Sequence, residues 1–500
     1  MKHFLSKISR LPGPFIIAAC AAIPVVYLSF PVIRLCLFVL SCFLLAASFV
    51  LCILHYPVYV RISLAAACGL IAGFISVSGI EQFSPGLPTE KITAIQGKLL
   101  DDPRSFGTDE ERGMALLALT ESCTSPGRMA GSSSATVRAS AQGRALVFFP
   151  AGTMPRLRSF GRGAELYLEG NFLPDNAAAG TASSPSGFRA ASVHIIKPSS
   201  APEQIRTAVR SAVFSALKPK PWGALAAALL IGTRENLEGD LANSFRNAGL
   251  SHILALSGMH LAFLSAMLAF ILEKPLGKKG SVIAGFVFIV LYVFLVGPQP
   301  SLVRAVIMYG LGSFLFLSGT TKQSFALLSA AFLIQILFDP LSAYSISFIL
   351  SYLALAGILV LSGPILILLR GRLPPSLALG VSASMGAFLV TSPVTAIFFG
   401  ILRPVGIIAG LVAVPLSGIF MGFSLLWLLA GKAPFIGFIL DKLLFVLHFF
   451  LSRSISLFAR LPGFIPALPA VFIGIPLLIA GLLILGEWQA RYRNELAPFA

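Results

Sequence analysis

Long apolar runs separated by short polar segments make up most of this sequence. Three of them open the chain, at residues 15–33, 35–54 and 58–80. Most runs approach the roughly 20 apolar residues that a helix needs to cross a lipid bilayer. Nine more follow residue 250, and they cover residues 252–272, 282–296, 302–317, 325–338, 342–361, 377–399, 405–429, 435–450 and 467–485. The pattern predicts a polytopic α-helical membrane protein with about 10–12 spans.

The pattern changes between residues 81 and 202, where Gly, Ser, Pro and Thr separate short apolar stretches. Five stretches resemble β-strands in length and alternation, at residues 92–99, 114–119, 144–149, 165–172 and 190–196. Five short strands in a segment of this length are typical of a small barrel of the OB type. The sequence therefore predicts an external β-rich, OB-like domain.

Basic and aromatic residues are interleaved in this predicted domain. Proteins that bind single-stranded nucleic acid use basic side chains for the phosphates and aromatic rings for the bases. The candidates for such contacts are Arg144, Arg156, Arg158, Arg162, Phe148 and Phe149. The alternative is a solvated basic surface over a core of aromatic residues, because strand aromatics usually pack inside.

Residues 203–250 are the predicted connection to the later spans. Their first part has a helical period, with Ile205 and Val209 on one side and Arg206 and Arg210 on another. An amphipathic helix of this kind can lie in the membrane interface. The remaining divisions are N-terminal spans in 1–80, the soluble domain in 81–202, a transmembrane domain in 251–488 and a cytoplasmic tail in 489–500.

Composition and charge support a membrane location. The chain is 56% hydrophobic and 11% charged, whereas soluble proteins are about 25% charged. Its net charge of +17 suits both anionic lipid headgroups and nucleic acid. Basic residues favour the cytoplasmic side of spans, which places both termini in the cytoplasm and the β-rich domain outside. Three arginines fall on the opposite side, and they keep the span count between 10 and 12: Arg403, Arg453 and Arg460.

Polar side chains concentrate in one stretch between residues 227 and 270. The stretch starts as a charged segment and continues into an apolar helix that is predicted to begin at His252. Polar groups at membrane depth need partners or water, so something polar is bound, passed or held here. The candidates for a transport path are Arg234, Asn243, Arg246, Asn247, His252, Ser257, Gly258, His260 and Arg304.

Structural alternatives exist for these candidates. A histidine on a helix often bonds a neighbouring carbonyl group, and small residues such as Ser257 and Gly258 let helices pack closely. Arg304 lies just inside a span, where an unpaired guanidinium is costly. It either faces a phosphate or forms a structural pair with Asp240 or Glu235.

Several stretches in one order carry a resemblance to a known family. The first is Leu230-Ile-Gly-Thr-Arg, followed by Phe245-Arg-Asn-Ala-Gly-Leu-Ser-His-Ile-Leu-Ala-Leu-Ser-Gly-Met-His-Leu. The others are Pro300-Ser-Leu-Val-Arg-Ala, Phe338-Asp-Pro-Leu with Ser347-Phe-Ile-Leu-Ser-Tyr-Leu-Ala, and Ser392-Pro-Val with Ala413-Val-Pro-Leu. Together they resemble the ComEC competence family over nearly the whole chain. The resemblance implies an inner-membrane channel for uptake of single-stranded DNA, with an OB-like domain at the position of the β-rich segment.

The resemblance also implies partners. These are single-stranded DNA, membrane lipids and other competence proteins such as a DNA receptor, a cytoplasmic motor and a separate nuclease. Long family members resemble nucleases at their C-terminal end, in a metallo-β-lactamase-like domain that needs histidines and aspartates for two metals. The six histidines of this sequence form no His-X-His-X-Asp-His pattern. We therefore expect a channel component with no cofactor, no metal site and no catalytic residues.

Two other classes of function stay open. An ion-coupled small-molecule transporter usually places acidic residues in mid-membrane. The acids here lie mostly at span ends, as Glu273, Asp339 and Glu487 do, and Asp441 is the main exception, which disfavours a transporter. An intramembrane hydrolase could use Ser257 with His260, because residues three apart are neighbours on a helix. No orienting acid or oxyanion donor is evident for that pair.

Overall fold

Most of the chain is defined in the computed structural model, which describes residues 14–27, 40, 44, 57–78, 84–105, 113–124, 137–154, 157, 160–173, 186–234, 237, 239–319 and 324–464. Some predictions concern residues outside these ranges. They are most of the span at 35–54, the span at 467–485, the tail at 489–500, Arg156, Arg158 and Glu235.

Helices dominate the described residues. The first two are α1 (Pro14–Tyr27) and α2 (Pro57–Ser78). After the β-rich domain come α3 (Ala201–Leu217), α4 (Gly223–Ile231), α5 (Gly239–Asn247) and α6 (Ser251–Leu254). The last group is α7 (Gly258–Val296), α8 (Pro300–Leu317), α9 (Ser324–Phe338), α10 (Ile346–Leu369), α11 (Pro375–Phe399), α12 (Val405–Ala430) and α13 (Pro434–Ala459).

Six of the described helices are long and apolar enough to cross a membrane, namely α7, α8 and α10 to α13. Shorter apolar helical stretches are Ile16–Tyr27, Ser63–Val77 and Ser324–Phe338. Large apolar side chains cover their outer surfaces, including Phe270 and Phe338, which are 84% and 87% exposed. Exposed apolar surface of this extent on long apolar helices is typical of contact with lipid. The prediction of a polytopic α-helical membrane protein is confirmed.

The helix α7 is a hairpin that contains two of the predicted spans. Its backbone leaves the helical conformation at Gly277, where φ is 67° and ψ is 173°. The Ser281 hydroxyl then donates to the Ala269 carbonyl at 3.5 Å, although the two residues are 12 apart. A straight helix would separate them by about 18 Å. The chain therefore turns back, and Gly258 and Val296 lie at the same end of the hairpin.

Helices α1 and α2 pack closely and run in the same direction. A Cβ added at Gly69 would lie 2.0 Å from the carbonyl oxygen of Ala18, and one at Gly73 would lie 3.0 Å from that of Ala22. The contact thus advances by four residues along both helices, which happens only when their directions agree. In three successive membrane crossings, the first and third helices run in the same direction. The parallel packing of α1 and α2 agrees with their prediction as the first and third spans.

The β-rich domain is a closed barrel. Its strands are β1 (Ala94–Leu99), β2 (Arg104–Ser105), β3 (Gly113–Thr124), β4 (Val137–Ser140), β5 (Arg144–Phe149), β6 (Glu165–Phe172) and β7 (Ser186–Lys197). The order β1-β6-β7-β5-β3 closes through a β1–β3 pairing, and β2 and β4 add to β3. Only the β5–β7 pairing is parallel among the described strands. All five predicted strands are present, and the OB-like architecture is confirmed.

The centre of the helical region is α4. Seven consecutive residues from Leu225 to Ile231 are at most 3% exposed, and a helix that is apolar on every side is stable only when it is surrounded. Its neighbours include α12 and α13, through Phe420, Leu444 and Leu451. Leu230 to Arg234, the first stretch that resembles the competence family, therefore begins inside this core and leaves it at the end of α4.

Candidate functional site

Three of the sequence stretches that carry the resemblance meet at one place. Gly232 ends α4 with a φ of 74°, and a Cβ there would lie 2.6 Å from the Leu256 side chain. The Ser301 hydroxyl, at the start of α8, donates to the Leu256 carbonyl at 2.9 Å. The end of α4, the start of α7 and the start of α8 thus pack against one another, and they form the candidate site.

The start of α7 corrects one prediction. The apolar helix does not run unbroken from His252, because α6 ends at Leu254 and Ala255 is extended. His252 is exposed on α6, while Ser257 is the N-cap of α7 and His260 lies in its first turn. The physical reason is that the extended Ser257 and the His260 ring cap a new helix end.

His260 is held in one orientation. Its Nδ1 atom accepts the Ser257 backbone N–H at 3.2 Å and lies 3.1 Å from the Ser257 hydroxyl. Because Nδ1 accepts a hydrogen bond, the ring hydrogen of the neutral imidazole lies on Nε2. The residue is 2% exposed, and among the described residues Nε2 has no hydrogen-bond partner. The Ile253 carbonyl lies near the ring, but it forms no hydrogen bond with Nε2.

Arg304 is buried on α8 without a carboxylate from the described residues. It is 9% exposed, and its Nη1 donates to the Ser351 carbonyl on α10. Its guanidinium carbon lies 5.6 Å from the centre of the Tyr352 ring, a cation–π contact. The Nε atom has no partner in the described part of the chain. The suggested pair with Asp240 is absent, since that acid is exposed and forms no ion pair with Arg304.

The Tyr352 ring that faces Arg304 is fixed by a second hydrogen bond. Its hydroxyl donates to Gln335 Oε1 at 2.9 Å, and Gln335 Nε2 donates to the Pro300 carbonyl at 3.1 Å. These bonds join α8, α9 and α10 through buried polar groups. Buried groups that are hydrogen-bonded specify one arrangement of the helices, so the position of the Tyr352 ring that faces Arg304 is fixed.

An ion-pair network joins the barrel to the helix ends. Arg206 on α3 binds Asp102 and also Glu203, the latter at 2.6 Å, and Arg210 binds Asp102 at 2.9 Å. Burial raises the pKa of Asp102, but the two arginines more than offset it and hold the pKa below its ordinary value. Arg162 of the barrel binds Glu203 at 2.8 Å. The charge of Arg162 is therefore already paired within the protein, and its contact with DNA stays a prediction.

The same arginines bind carbonyl groups at helix C-termini. Arg206 Nη1 donates to Leu295 O at 3.3 Å, and Arg210 Nη1 donates to Val296 O at 2.7 Å. Arg210 Nη2 reaches Ile231 O at 3.4 Å. Cations are favoured at C-terminal carbonyl groups, so α3 lies across the ends of α4 and α7. The barrel consequently lies at the end of the helices where α7 and α8 begin. The apolar face of α3 stays exposed, with Ile205 at 65%.

Two further arginines approach each other between the barrel and the site. Arg234 follows the end of α4, and its pKa is lowered by burial and then by the positive charge of Arg104 on β2. Like charges repel unless an anion lies between them. Arg234 is exposed, so this pair of charges is open to solvent.

The remaining candidates on α5 do not join this site. Asn243 and Arg246 are exposed, and no contact between described residues brings them to Arg304. Asn247 has a structural role, because its carbonyl accepts from Arg403 Nη1 at 2.9 Å. That bond at the C-terminus of α5 gives Arg403 a structural partner.

The barrel candidates divide between core and surface. Phe149 is 3% exposed and belongs to the barrel core, so its prediction as a stacking residue is wrong. Arg144 and Phe148 share the outward face of β5, where Phe148 lies opposite Arg189 of β7. Arg189 is exposed, and the alternation of β7 could have identified it. The basic–aromatic face therefore consists of Arg144, Phe148 and Arg189.

Asp441, the acid that favoured an ion-coupled transporter, is paired. Its carboxylate accepts from Lys220 Nζ at 3.2 Å and from Trp222 Nε1 at 2.8 Å. The Lys220 ammonium also lies 5.2 Å from the Trp427 ring centre. These contacts anchor the start of α4 against α12 and α13. The described residues contain no group of three or more His, Cys, Asp or Glu side chains that could hold a metal ion.

Comparison with known proteins identifies a family and several relatives. Residues 229–491 match the family described as "Competence protein". The chain is 31% identical over 168 residues to ComE operon protein 3 of Bacillus subtilis, which covers 32% of this chain and 21% of that protein. It is 26% identical over 227 residues to the uncharacterized protein YcaI of Escherichia coli, covering 42% and 29%. An uncharacterized protein of Aquifex aeolicus is 29% identical over 208 residues, covering 41% and 48%. The matches thus span less than half of each relative, and no solved structure matches significantly.

Proposed function

The chain belongs to the competence protein family, and from that premise we propose that it carries single-stranded DNA across the bacterial inner membrane. It acts as a channel component rather than an enzyme. The observation that supports this most directly is the buried Arg304, whose partners among the described residues are a carbonyl group and an aromatic ring. A phosphate backbone at membrane depth needs such a charge, and a paired arginine could not supply it.

The positive groups form a series along a path. The basic–aromatic face of the barrel offers Arg144, Phe148 and Arg189 to an arriving strand. Arg104 and Arg234 lie between the barrel and the helix ends, and Arg304 lies at the start of α8. Separate weak sites in sequence allow a polyanion to enter without being trapped. The barrel then lies on the outer side, both termini lie in the cytoplasm, and membrane lipids surround the helices.

Other competence proteins complete the process in this proposal. A receptor delivers the strand to the barrel, a cytoplasmic motor pulls it, and a separate nuclease removes the complementary strand. A hydrolase is the second candidate, because the Ser257 hydroxyl lies 3.1 Å from His260 Nδ1. That nitrogen also caps α7, and no described acid orients the ring. Retained DNA uptake by Ser257→Ala would show that uptake does not depend on a serine nucleophile at this position.

Gene deletion and complementation test the proposed function. Cells of the source bacterium receive duplex DNA labelled on one strand, and label that resists external nuclease is counted. Deletion should abolish protected label while DNA still binds at the cell surface, and a plasmid copy should restore uptake. Unchanged protected label in the deletion strain would refute a role in translocation.

A further inference from the structure

We propose that the first turn of α7 and the side chain of Arg304 form a binding site for one phosphodiester group of the transported strand. The identity of the ligand rests on the proposed function. The anion site itself rests on the geometry of Gly258, His260 and Arg304.

The helix end supplies the first part of the site. From Gly258 to the break at Gly277 the chain makes about five helical turns, whose dipoles direct positive charge to Gly258. The N–H groups of a first turn have no carbonyl within the helix. The His260 N–H bonds the Ser257 carbonyl at 3.1 Å. No bond from the described residues satisfies the N–H groups of Gly258 and Met259, which are directed out of the helix end.

Two buried side-chain donors lack partners beside this helix end. They are Nε of Arg304, which has no hydrogen-bond partner among the described residues, and Nε2 of His260, which has none with hydrogen-bond geometry although the Ile253 carbonyl lies near the ring. Their residues are 2% and 9% exposed. A buried donor without an acceptor is energetically costly. Two such donors close to one helix N-terminus indicate that an acceptor belongs there.

Arg304 lies directly against the helix end. Its Nη2 atom is 3.3 Å from the position that a Cβ on Gly258 would take. Glycine at this position therefore lets the guanidinium approach the backbone N–H groups. Ser257, Gly258 and Met259 are partly exposed, so the site is buried at its base and open at its top. An anion can enter from the side that carries the barrel.

The positive charge of this site selects an anion, and the arrangement of its hydrogen-bond donors selects phosphate. The guanidinium and the helix end are both positive, and no carboxylate among the described residues contacts them. Helix N-termini bind phosphate groups through N–H donors, and the guanidinium fork bonds two phosphate oxygens at once. One arginine on a tyrosine ring gives a site that holds a phosphate and still releases it.

Binding measurements with the full-length protein in lipid nanodiscs test this site. The probe is a fluorescent oligothymidylate, compared with the same oligomer carrying uncharged methylphosphonate links. Arg304→Gln removes the charge, and exposed Arg453→Gln is the control for net charge. Gly258→Ala places a methyl group 3.3 Å from Nη2, whereas Gly363→Ala adds one with nothing within 4 Å. Alanine is favourable in helices, so both glycine variants should fold.

We expect Arg304→Gln to bind the charged oligomer with a Kd roughly tenfold higher than that of the unmodified protein. Gly258→Ala should weaken binding a few-fold, and the two controls should match the unmodified protein. The uncharged oligomer should not distinguish Arg304→Gln from the unmodified protein. Inorganic phosphate should compete with the charged oligomer, and less so in the Arg304→Gln variant.

Contrary results separate the site from the proposed function. Equal binding of the charged oligomer by folded Arg304→Gln and Gly258→Ala would overturn the site, even if DNA uptake in cells is normal. If Arg304→Gln does not fold, unchanged binding by Gly258→Ala alone overturns it. The opposite combination is weaker binding by these variants in nanodiscs and normal DNA uptake by cells in which the gene is deleted. It would keep the anion site and overturn the proposed function.

Discussion

Arg304 shows how a buried charge can be stabilised without a carboxylate from the described residues. Its contacts with the Ser351 carbonyl and the Tyr352 ring disperse the charge without neutralising it. A carboxylate partner would have made the residue a structural ion pair, whose disruption costs about 3–5 kcal/mol. Because the guanidinium keeps its net charge, its removal should affect transport before it affects folding.

Replacing Arg304 with glutamine should reduce DNA uptake by about tenfold or more, the equivalent of about 1.4 kcal/mol. Protein abundance and thermal unfolding should change little, because no ion pair with a described residue is broken. Arg304→Lys should restore part of the uptake, since it returns the charge but not the two-pronged donor. Uptake of nuclease-resistant label and quantitative blotting measure both quantities.

The exposed Arg453→Gln variant serves as the control for this change in charge. Normal uptake by well-expressed Arg304→Gln would remove the residue from the path. A parallel decrease of uptake and abundance would instead show that Arg304 is a structural residue.

At the scale of elements, α3 joins two parts of the molecule through charge. The Asp102 carboxylate forms ion pairs with Arg206 and Arg210. The Arg206 side chain is only 1% exposed. The same arginines bind the terminal carbonyl groups of α4 and α7. The barrel is thereby fixed to the end of the helices that contains the candidate site.

Asp102→Asn should loosen this junction and destabilise the chain by about 3 kcal/mol, the low end for a broken buried pair. The low end applies because Arg206 keeps its pairing with Glu203. The neighbouring Asp101→Asn is the matched control, since Asp101 is exposed. Hydrogen exchange of α3 and thermal unfolding report the difference. Equal exchange in the two variants would show that the network does not hold the barrel.

The pH dependence of the junction follows from the sign of the Asp102 shift. Its folded pKa lies below the ordinary value of 3.8, so its stabilisation is fully present above that value and is lost as the pH falls through the lower folded pKa. Exchange rates of α3 should therefore show no contribution from Asp102 titration between neutral pH and about pH 5. A change in stability in that interval would require another titrating group.

The basic–aromatic face of the barrel is the element that should bind an incoming strand. The double variant Arg144→Gln with Arg189→Gln should weaken single-stranded DNA binding by the full-length protein. It should also reduce the slope of log affinity against log salt by about 0.7 for each phosphate that the variant no longer neutralises. Arg372→Gln, exposed beyond α10, is the control. An unchanged slope would make this face a solvated surface.

The element types are predictable from the sequence because they depend on local periodicity. The five strands and most apolar helices follow from their spacing, and the hairpin of α7 corresponds to two apolar runs separated by charge. The break before Gly258 has no such signal, since hydrophobic residues continue through it and a cap by His260 is specific to the fold. The prediction for Phe149 is wrong because alternation identifies two faces of a strand but not which face meets the core.

Contacts over long sequence separation limit prediction of the site. Arg162 pairs with Glu203, 41 residues away, and Tyr352 bonds Gln335, 17 residues away. The spacing of these residues along the sequence indicates neither contact. Arg304 is identifiable because an arginine inside an apolar run is energetically costly wherever the helix lies. Sequence reasoning thus finds the costly residue and does not find its neighbours.

At the scale of the whole molecule, the barrel and the candidate site lie at one end of the helices. The α7 hairpin places its turn, next to Lys278 and Lys279, at the opposite end. Basic residues favour the cytoplasmic side. If the hairpin turn is cytoplasmic, the barrel is external, and a strand that passes from the barrel to Arg304 moves inward.

Cysteine accessibility tests this orientation with two exposed residues. Lys91→Cys lies in the barrel and Lys278→Cys in the hairpin turn, each placed in a protein whose native cysteines are replaced. An impermeant maleimide added to intact spheroplasts should label position 91 and leave position 278 unlabelled until the membrane is opened. Labelling of both positions from outside would contradict the hairpin as a membrane crossing. Labelling of position 278 alone would reverse the orientation, and the path from barrel to Arg304 would then lead outward, against a role in DNA uptake.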